Sequence, residues 1–439
     1  MHADLAALVG ADHVADDVAL GDASGLSGVA RALVTPGSAA EVAAVVAWCY
    51  ARDVAMIPVG GRSGYSGGIV PVPDAGAGDV IAIALDRLDR VRSFDPLRWR
   101  MEAEAGVTTA TIARRARESG LLFPPDPGAA EQSQLGGNLA TNAGGPHAFK
   151  YGVTGRWVTG VEAVIAPGEL VAFGGPVRKD VAGLDLRALL IGSEGTLGII
   201  TSAWLALVPA PAETFVVAAA YASVRAGCDA VDAVLGSGVV PAAVEYLDGR
   251  CIAAAPPPFL PDADGAELLV VCEAESARDR DELLEALGTG AVAPPPAEVW
   301  RWREGVSIAV RAARGEKLSE DVAVPGERLA DAIEGTIAIG ARHGLEGCSW
   351  GHAGDGNLHA TFLLDPGDAE MRARADAAAS ELFDLARALG GTASGEHGIG
   401  LLKGGQLSRQ WAPAAVEAAR AVKRALDPKG LFNPGKKEP

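Results

Sequence analysis

The apolar and polar positions along this chain read as a mixture of helices and strands. Ala39 to Tyr50 carries helical apolar spacing, and Thr35-Pro36-Gly37-Ser38 supplies its start. Val54 to Pro58 is a short β-branched run, and Ile81 to Leu85, Trp99 to Ala105 and Val158 to Ile165 also read as strands. Thr109 to Ser119 is a helix stopped by Gly120. Further on, strand-like runs at 266–272 and 347–364 alternate with helical stretches at 276–287, 327–342 and 368–389, and a last helix spans 413–426. The pattern mixes helices with strands along the whole chain.

Three glycine-rich stretches interrupt the first half. The first, Pro58 to Gly68, holds five glycines around Arg62, Ser63, Tyr65 and Ser66. Glycines cost backbone entropy but permit close backbone approach and a nest of N–H groups that suits an anion. A phosphate-bearing ligand explains them, and a mobile glycine loop is the plainer alternative. The rigid turn Phe123-Pro124-Pro125-Asp126-Pro127-Gly128 leads to the second, a glycine- and amide-rich loop from Gln134 to Gly145. In the third, Gly192-Ser193-Glu194-Gly195-Thr196-Leu197-Gly198 feeds the β-branched run Ile199-Ile200-Thr201. None of them is G-x-G-x-x-G opening a helix or G-x-x-x-x-G-K-[ST], which disfavours a Rossmann or P-loop site. Three loops cradling one extended ligand fit a large dinucleotide.

Gly351-His352-Ala353-Gly354-Asp355-Gly356-Asn357-Leu358-His359 reads as a hairpin, because Asp-Gly favours a tight turn with φ > 0. A two-residue loop would set His352 opposite His359, where two imidazoles could share one metal ion. Ser394-Gly395-Glu396-His397-Gly398 adds a carboxylate as third ligand and His397 as a spare base. The alternative is two glycine-rich turns with incidental histidines. Three of the chain's seven histidines fall in these two stretches, which favours the metal.

At 439 residues the length predicts two to three domains, and 49% apolar content supplies ample core. The net charge of −18 argues against nucleic acid and anionic membranes as partners. Five scattered cysteines without C-x-x-C fit free thiols in a reducing compartment and exclude an in-chain four-cysteine iron–sulfur motif. The start lacks a basic signal-peptide region, and no run approaches 18 apolar residues. The cytoplasm is the expected location.

The three loops in this order, with GSEGTLGIIT, GHAGDGNLH, SGEHG and the final Asn433-Pro434-Gly435-Lys436, resemble the FAD-linked oxidase/transferase type 4 family of the vanillyl-alcohol oxidase superfamily. Among its members the chain is most similar in motif to the D-2-hydroxyacid dehydrogenases: D-lactate dehydrogenase, the glycolate oxidase flavin subunit and D-2-hydroxyglutarate dehydrogenase. The resemblance implies an FAD-binding domain of two α+β subdomains over 1–211. It also implies a cap over 212–410, an antiparallel sheet with helices on one face, and a helix and tail over 411–439 that return to the FAD domain.

The residues implied to bind FAD are Gly60, Gly61, Arg62, Ser63, Gly64, Ser66, Pro125, Ser133, Gly136, Gly137, Thr141, Asn142, Gly145, Glu194, Gly195, Gly198, Ile199, Ile200 and Asn433. By the same resemblance His352, His359 and Glu396 bind a divalent metal, expected to be Zn²⁺, and His397 is the general base. Arg303, Ser307, Lys317 and Asn357 face the substrate. Arg303 and Ser307 stand one helical turn apart, and a guanidinium suits a carboxylate; a surface salt bridge is the alternative for Arg303.

Two positions depart from the family. Arg62 stands where many relatives have glycine, and Thr361 where the hydroxyglutarate enzymes have asparagine. The first loop lacks a His or Cys tether, with Tyr65 in the corresponding region, so FAD is expected to bind noncovalently. The expected reaction is oxidation of a small D-2-hydroxy acid of the D-lactate or glycolate type. A D-2-hydroxyglutarate-type dicarboxylate is the alternative, ahead of a flavin transferase like the alkyl-dihydroxyacetonephosphate synthases or a non-catalytic flavin subunit. The electron acceptor stays open between a quinone, an electron-transfer flavoprotein and a cytochrome, and a homodimer stays open too.

Overall fold

A computed structural model describes residues 1–72 and 79–438. By the contacts its residues make, the chain forms two compact units. The first comprises Met1–Gly145, Val153–Ala210 and Glu396–Pro439; the second comprises Pro146–Gly152 and Pro211–Gly395.

The first unit holds two sheets. In one, Val14–Gly21, Ser27–Val34, Val80–Ala84 and Ala55–Val59 lie side by side, the last three parallel to one another. The helix Ala39–Tyr50 buries Val42, Val45, Val46 and Cys49 against it. Ser38 caps this helix by accepting from the Glu41 N–H, and the Glu41 carboxylate accepts from Gly37, which satisfies backbone donors that the first turn leaves over. The other sheet is antiparallel, in the order Val91–Asp95, Arg100–Glu104, Ile199–Ala206, Val158–Ile165, Glu169–Gly174. Ile112, Leu135 and Leu139 from two helices cover one of its faces.

The sequence predicts a loop from Gln134 to Gly145, but Leu135–Thr141 is a helix closed by Asn142 in the left-handed region (φ 56). Glycine costs a helix about 1 kcal/mol relative to alanine, which argues for a loop here. Packing reverses that preference, since a Cβ on Gly136 would stand 2.9 Å from the Ala105 Cβ. Gly136 lets the helix lie directly on neighbouring backbone, with the Ala105 carbonyl 3.2 Å from where its Cβ would stand.

The second unit is built on one antiparallel sheet. Its strands run Phe215–Tyr221, Leu268–Ala274, Ala243–Asp248, Glu346–His352, Asn357–Leu364, Glu316–Ala323. On one face Val244, Tyr246, Leu358, Ala360 and Phe362 pack under the helices Val224–Gly236, Ala277–Leu287, Leu329–Arg342 and Ala369–Ala388. The expectation of helices on one face only is incorrect. Val299, Val306 and Val310 of the helix Pro296–Ala312 pack with Leu247, Cys348, Trp350 and Leu363 on the other face. That face is only partly apolar, because its middle carries Glu245, His352, His359 and Asp321.

Candidate active site

In the first unit the glycine stretches meet around one cleft. Its walls include Gly60, Gly61, Arg62, Ser63, Gly64 and Ser66 from the first stretch, Gly136, Gly137 and Thr141 from the second, and Glu194, Gly195, Gly198, Ile199 and Ile200 from the third, with Asn433 from the tail. The space amounts to about 960 Å³ with its open mouth, the upper end of the range for small-molecule sites. The backbone explains two residue choices. A Cβ on Gly61 would overlap the Gln132 carbonyl, so only glycine fits. Arg62 holds φ 59, the left-handed region in which glycine is at ease.

Four of the expected cofactor residues do not line the cleft. Ser133 Oγ bonds Thr109 Oγ1 at 2.8 Å, and Asn142 Oδ1 accepts from Gly155 N at 2.8 Å. Gly145 (φ 151) lies where a Cβ would stand 2.5 Å from the Asp126 carbonyl. Pro125 is buried in its turn. Asp22, Gln134 and Asn138 line the cleft without having been singled out from sequence.

Three observations fit the cleft to a polar ligand. Gln134 Oε1 and Asn433 Oδ1 are buried lining atoms without a hydrogen-bond partner, a state that folded proteins rarely leave uncompensated. Their amide nitrogens are engaged, Gln134 Nε2 to Asp86 and Asn433 Nδ2 to the Gly68 and Glu194 carbonyls. A Cβ on Gly137 would meet nothing within 4 Å.

The same unit carries Glu396 and His397. His397 Nε2 lies 3.8 Å from Glu396 Oε1, and its ring stacks on Tyr65 with centroids 4.7 Å apart. Gly144 leaves room for Glu396, whose Oε2 would lie 2.8 Å from a Cβ there.

In the second unit the hairpin register differs from the expected one. His352 pairs with Asn357, Gly351 with Leu358 and Trp350 with His359. The loop therefore has four residues, Ala353 to Gly356, not two. Two neighbours widen it: Gly354 N bonds the Val244 carbonyl at 3.2 Å, and Val324 N bonds the Gly356 carbonyl at 3.0 Å. His352 and His359 are consequently diagonal neighbours on one face, with ring centroids 5.4 Å apart at 86°. The predicted closeness survives because both registers preserve the side-chain parity.

Glu245, opposite His352 on the adjacent strand, organises this face. One of its oxygens bonds His352 Nδ1, and the other accepts from Arg303 Nε at 2.8 Å. Burial pushes the Glu245 carboxyl up, but His352 and Arg303 outweigh it and hold the group at about 2. With Nδ1 as the donor, Nε2 carries the imidazole lone pair, the tautomer a metal ligand needs. Arg303 is 12% exposed in its side chain, so the surface salt bridge is incorrect; its partner is a fully buried carboxylate.

Asp321 stands opposite His359 on the other flank. It accepts from Asn357 Nδ2 at 2.6 Å and Ser394 Oγ at 2.7 Å, so the Asn357 amide nitrogen is engaged while its buried Oδ1 lacks a partner. Lys317 Nζ donates to Ser307 Oγ at 2.7 Å and lies 4.6 Å from the Trp350 ring centroid. Burial lowers Lys317 to about 8. Thr361 Oγ1 bonds Ser319 Oγ at 2.7 Å. Sequence reasoning passed over Glu245 and Asp321. The signal for Glu245 was available, a lone charge inside the apolar run Ala243-Val244-Glu245-Tyr246-Leu247.

Comparison with known proteins agrees with this architecture. Residues 30–174 match an FAD binding domain, and residues 210–437 match the C-terminal domain of FAD linked oxidases. The glycolate oxidase subunit GlcD of Bacillus subtilis (strain 168) is 32% identical over 92% of this chain and 88% of its own length. A D-lactate dehydrogenase of Anaerostipes hadrus is 32% identical over 92% and 88%. A D-2-hydroxyglutarate dehydrogenase of Xanthomonas citri pv. viticola is 33% identical over 92% and 88%. In fold, an alkyldihydroxyacetonephosphate synthase superposes with a TM-score of 0.77 at 19% identity, covering 98% of this chain and 84% of that one. p-Cresol methylhydroxylase gives 0.76 at 17%, covering 99% and 95%. Among the described residues no helix is long and apolar enough to cross a membrane. The chain belongs to the FAD-linked oxidase family and is a flavoprotein oxidoreductase with the α+β fold of the vanillyl-alcohol oxidase type.

Proposed function

We propose that this protein is an FAD-dependent dehydrogenase of small D-2-hydroxy acids, of the D-lactate or glycolate kind, assisted by a divalent metal. The observation that carries the reading is the polar centre of the second unit's sheet, where Glu245 ties Arg303 to His352 beside His359. A buried cation and two adjacent imidazoles are what a hydroxyl and a carboxylate on neighbouring carbons require. The relatives named for glycolate, D-lactate and D-2-hydroxyglutarate support the substrate class.

FAD, when bound, supplies the two-electron acceptor, and the metal supplies a Lewis acid that favours the alkoxide of the substrate. His352, His359 and Glu396 would hold the metal, for which a set of two imidazoles and a carboxylate suits Zn²⁺. His397 accepts the hydroxyl proton. Arg303, fixed by Glu245, faces the carboxylate, and Asn357 offers its Oδ1 to the hydroxyl.

A second reading, a dicarboxylate such as D-2-hydroxyglutarate, draws on Lys317. No carboxylate of the described residues lies within salt-bridge distance of its ammonium, which bonds Ser307 instead. A screen of D- and L-2-hydroxy acids with an artificial dye ranks the two. D-lactate or glycolate should give the highest kcat/KM, and strong preference for D-2-hydroxyglutarate over every monocarboxylate selects the second reading. Reduction by L-lactate and by no D-acid overturns the stereochemistry.

FAD is proposed to bind noncovalently, since among the described residues the cleft lining holds no His, Cys or Tyr. Acid precipitation should release all yellow colour into the supernatant; colour retained in the pellet shows a covalent link.

A further inference from the structure

The side chain of Glu194 lies in the GSEGTLGIIT stretch, yet it binds other parts of the protein. Its backbone is pinned, with its N–H on the Ala140 carbonyl at 2.7 Å and its own carbonyl on Asn433 Nδ2 at 2.8 Å. Its φ of 54 is the left-handed region, which a residue with a side chain rarely adopts. That backbone aims a buried carboxylate at the turn following His397. Oε1 accepts from Ile399 N at 2.9 Å and Oε2 from Gly400 N at 2.7 Å. Lys437 Nζ adds a third donor at 3.1 Å. Gly398 (φ +84) gives the carboxylate room, since a Cβ there would stand 2.8 Å from Oε1.

The first glycine stretch holds the far end of the same turn. The Ser66 carbonyl accepts from Leu401 N at 2.8 Å and from Leu402 N at 3.1 Å. Tyr65, one residue earlier, stacks on His397. Two cofactor-cleft stretches thus grip the segment 397–402 from both ends. Two successive backbone donors facing two oxygens of one carboxylate form a charge-assisted pair that a neutral group cannot reproduce.

We infer that Glu194 is a positioning residue that fastens the His397 turn to the cofactor cleft, and that its carboxylate is not a cofactor contact. The inference rests on the assignment of His397 as the base. It explains why a carboxylate stands in a cleft meant for an anionic cofactor, where a negative side chain facing phosphates would be repelled.

Glu194→Gln in the FAD-loaded enzyme tests this. An amide offers one acceptor oxygen and one donor NH₂, so one of the two backbone donors would face a donor. Hydrogen exchange in the peptide covering 396–402 should accelerate roughly tenfold or more, as expected for loss of a charged hydrogen bond. The FAD dissociation constant should stay within about threefold, because the contact is not to the cofactor. Anaerobic flavin reduction should slow by on the order of 10²-fold, the cost of a small misplacement, at unchanged substrate half-saturation. Gly398→Ala presses on the same carboxylate from the opposite side and should give the same pattern, which decides the case if Glu194→Gln does not fold. The inference is overturned if FAD affinity falls more than about tenfold while 396–402 exchanges at the parent rate. It is equally overturned if the turn loosens and reduction keeps the parent rate while His397→Asn is slow. If His397→Asn also reduces at the parent rate, the base assignment itself has failed.

Discussion

His397→Asn is expected to reduce its bound flavin about 10²–10⁴-fold more slowly than the parent protein, the usual contribution of a positioned general base. The imidazole stacks on Tyr65 and lies 3.8 Å from Glu396. Asparagine keeps a comparable polar volume in the same turn but cannot take a proton near neutral pH. Metal content and FAD content should therefore match the parent, and only the rate constant should change. Anaerobic stopped-flow reduction measures it directly, without interference from the electron acceptor. Reduction at the parent rate shows that His397 is structural and that another group takes the proton.

His359→Ala should lose both metal and activity. Its ring stands 5.4 Å from that of His352 on the same sheet face, and Glu245 fixes the partner imidazole through Nδ1. Changing an outer hydrogen-bonding partner of a metal site commonly costs about 10–100-fold in affinity, and deleting a ligand should exceed that. The fold should tolerate the change, because His359 is only partly buried and its strand stays paired on both sides. FAD should remain bound, since the cleft belongs to the other unit. Metal analysis of the purified variant, paired with stopped-flow reduction, decides the matter. Stoichiometric metal with a full reduction rate means that the ligands are misassigned. Together the two variants separate proton transfer from metal binding, because both should lose activity and only His359→Ala should lose the metal.

Much of the architecture was legible from local patterns. The helix Ala39–Tyr50 announces itself by Ser38 and its apolar spacing, and the strand Val158–Ile165 by its β-branched residues. These signals are local because capping and side-chain periodicity act within a few residues. The loop stretches that line the cleft were legible too, since close backbone approach leaves glycine no substitute at positions such as Gly61.

The tertiary structure alone decided what depends on neighbours distant in the chain. The Gly136–Gly137 helix runs against its own propensity because Ala105 packs on it. The hairpin loop is four residues long because Val244 and Val324 draw its backbone outward. Arg303 joins a buried carboxylate because the strand Ala243–Asp248 brings Glu245 beneath its helix. The sequence determined which residue types the chain carries and which short elements they form, since those energies are local. Which carboxylate pairs with which cation, and which glycine borders open space rather than a neighbour, came only from packing, where burial makes an unpaired charge too costly to leave and so selects its partner.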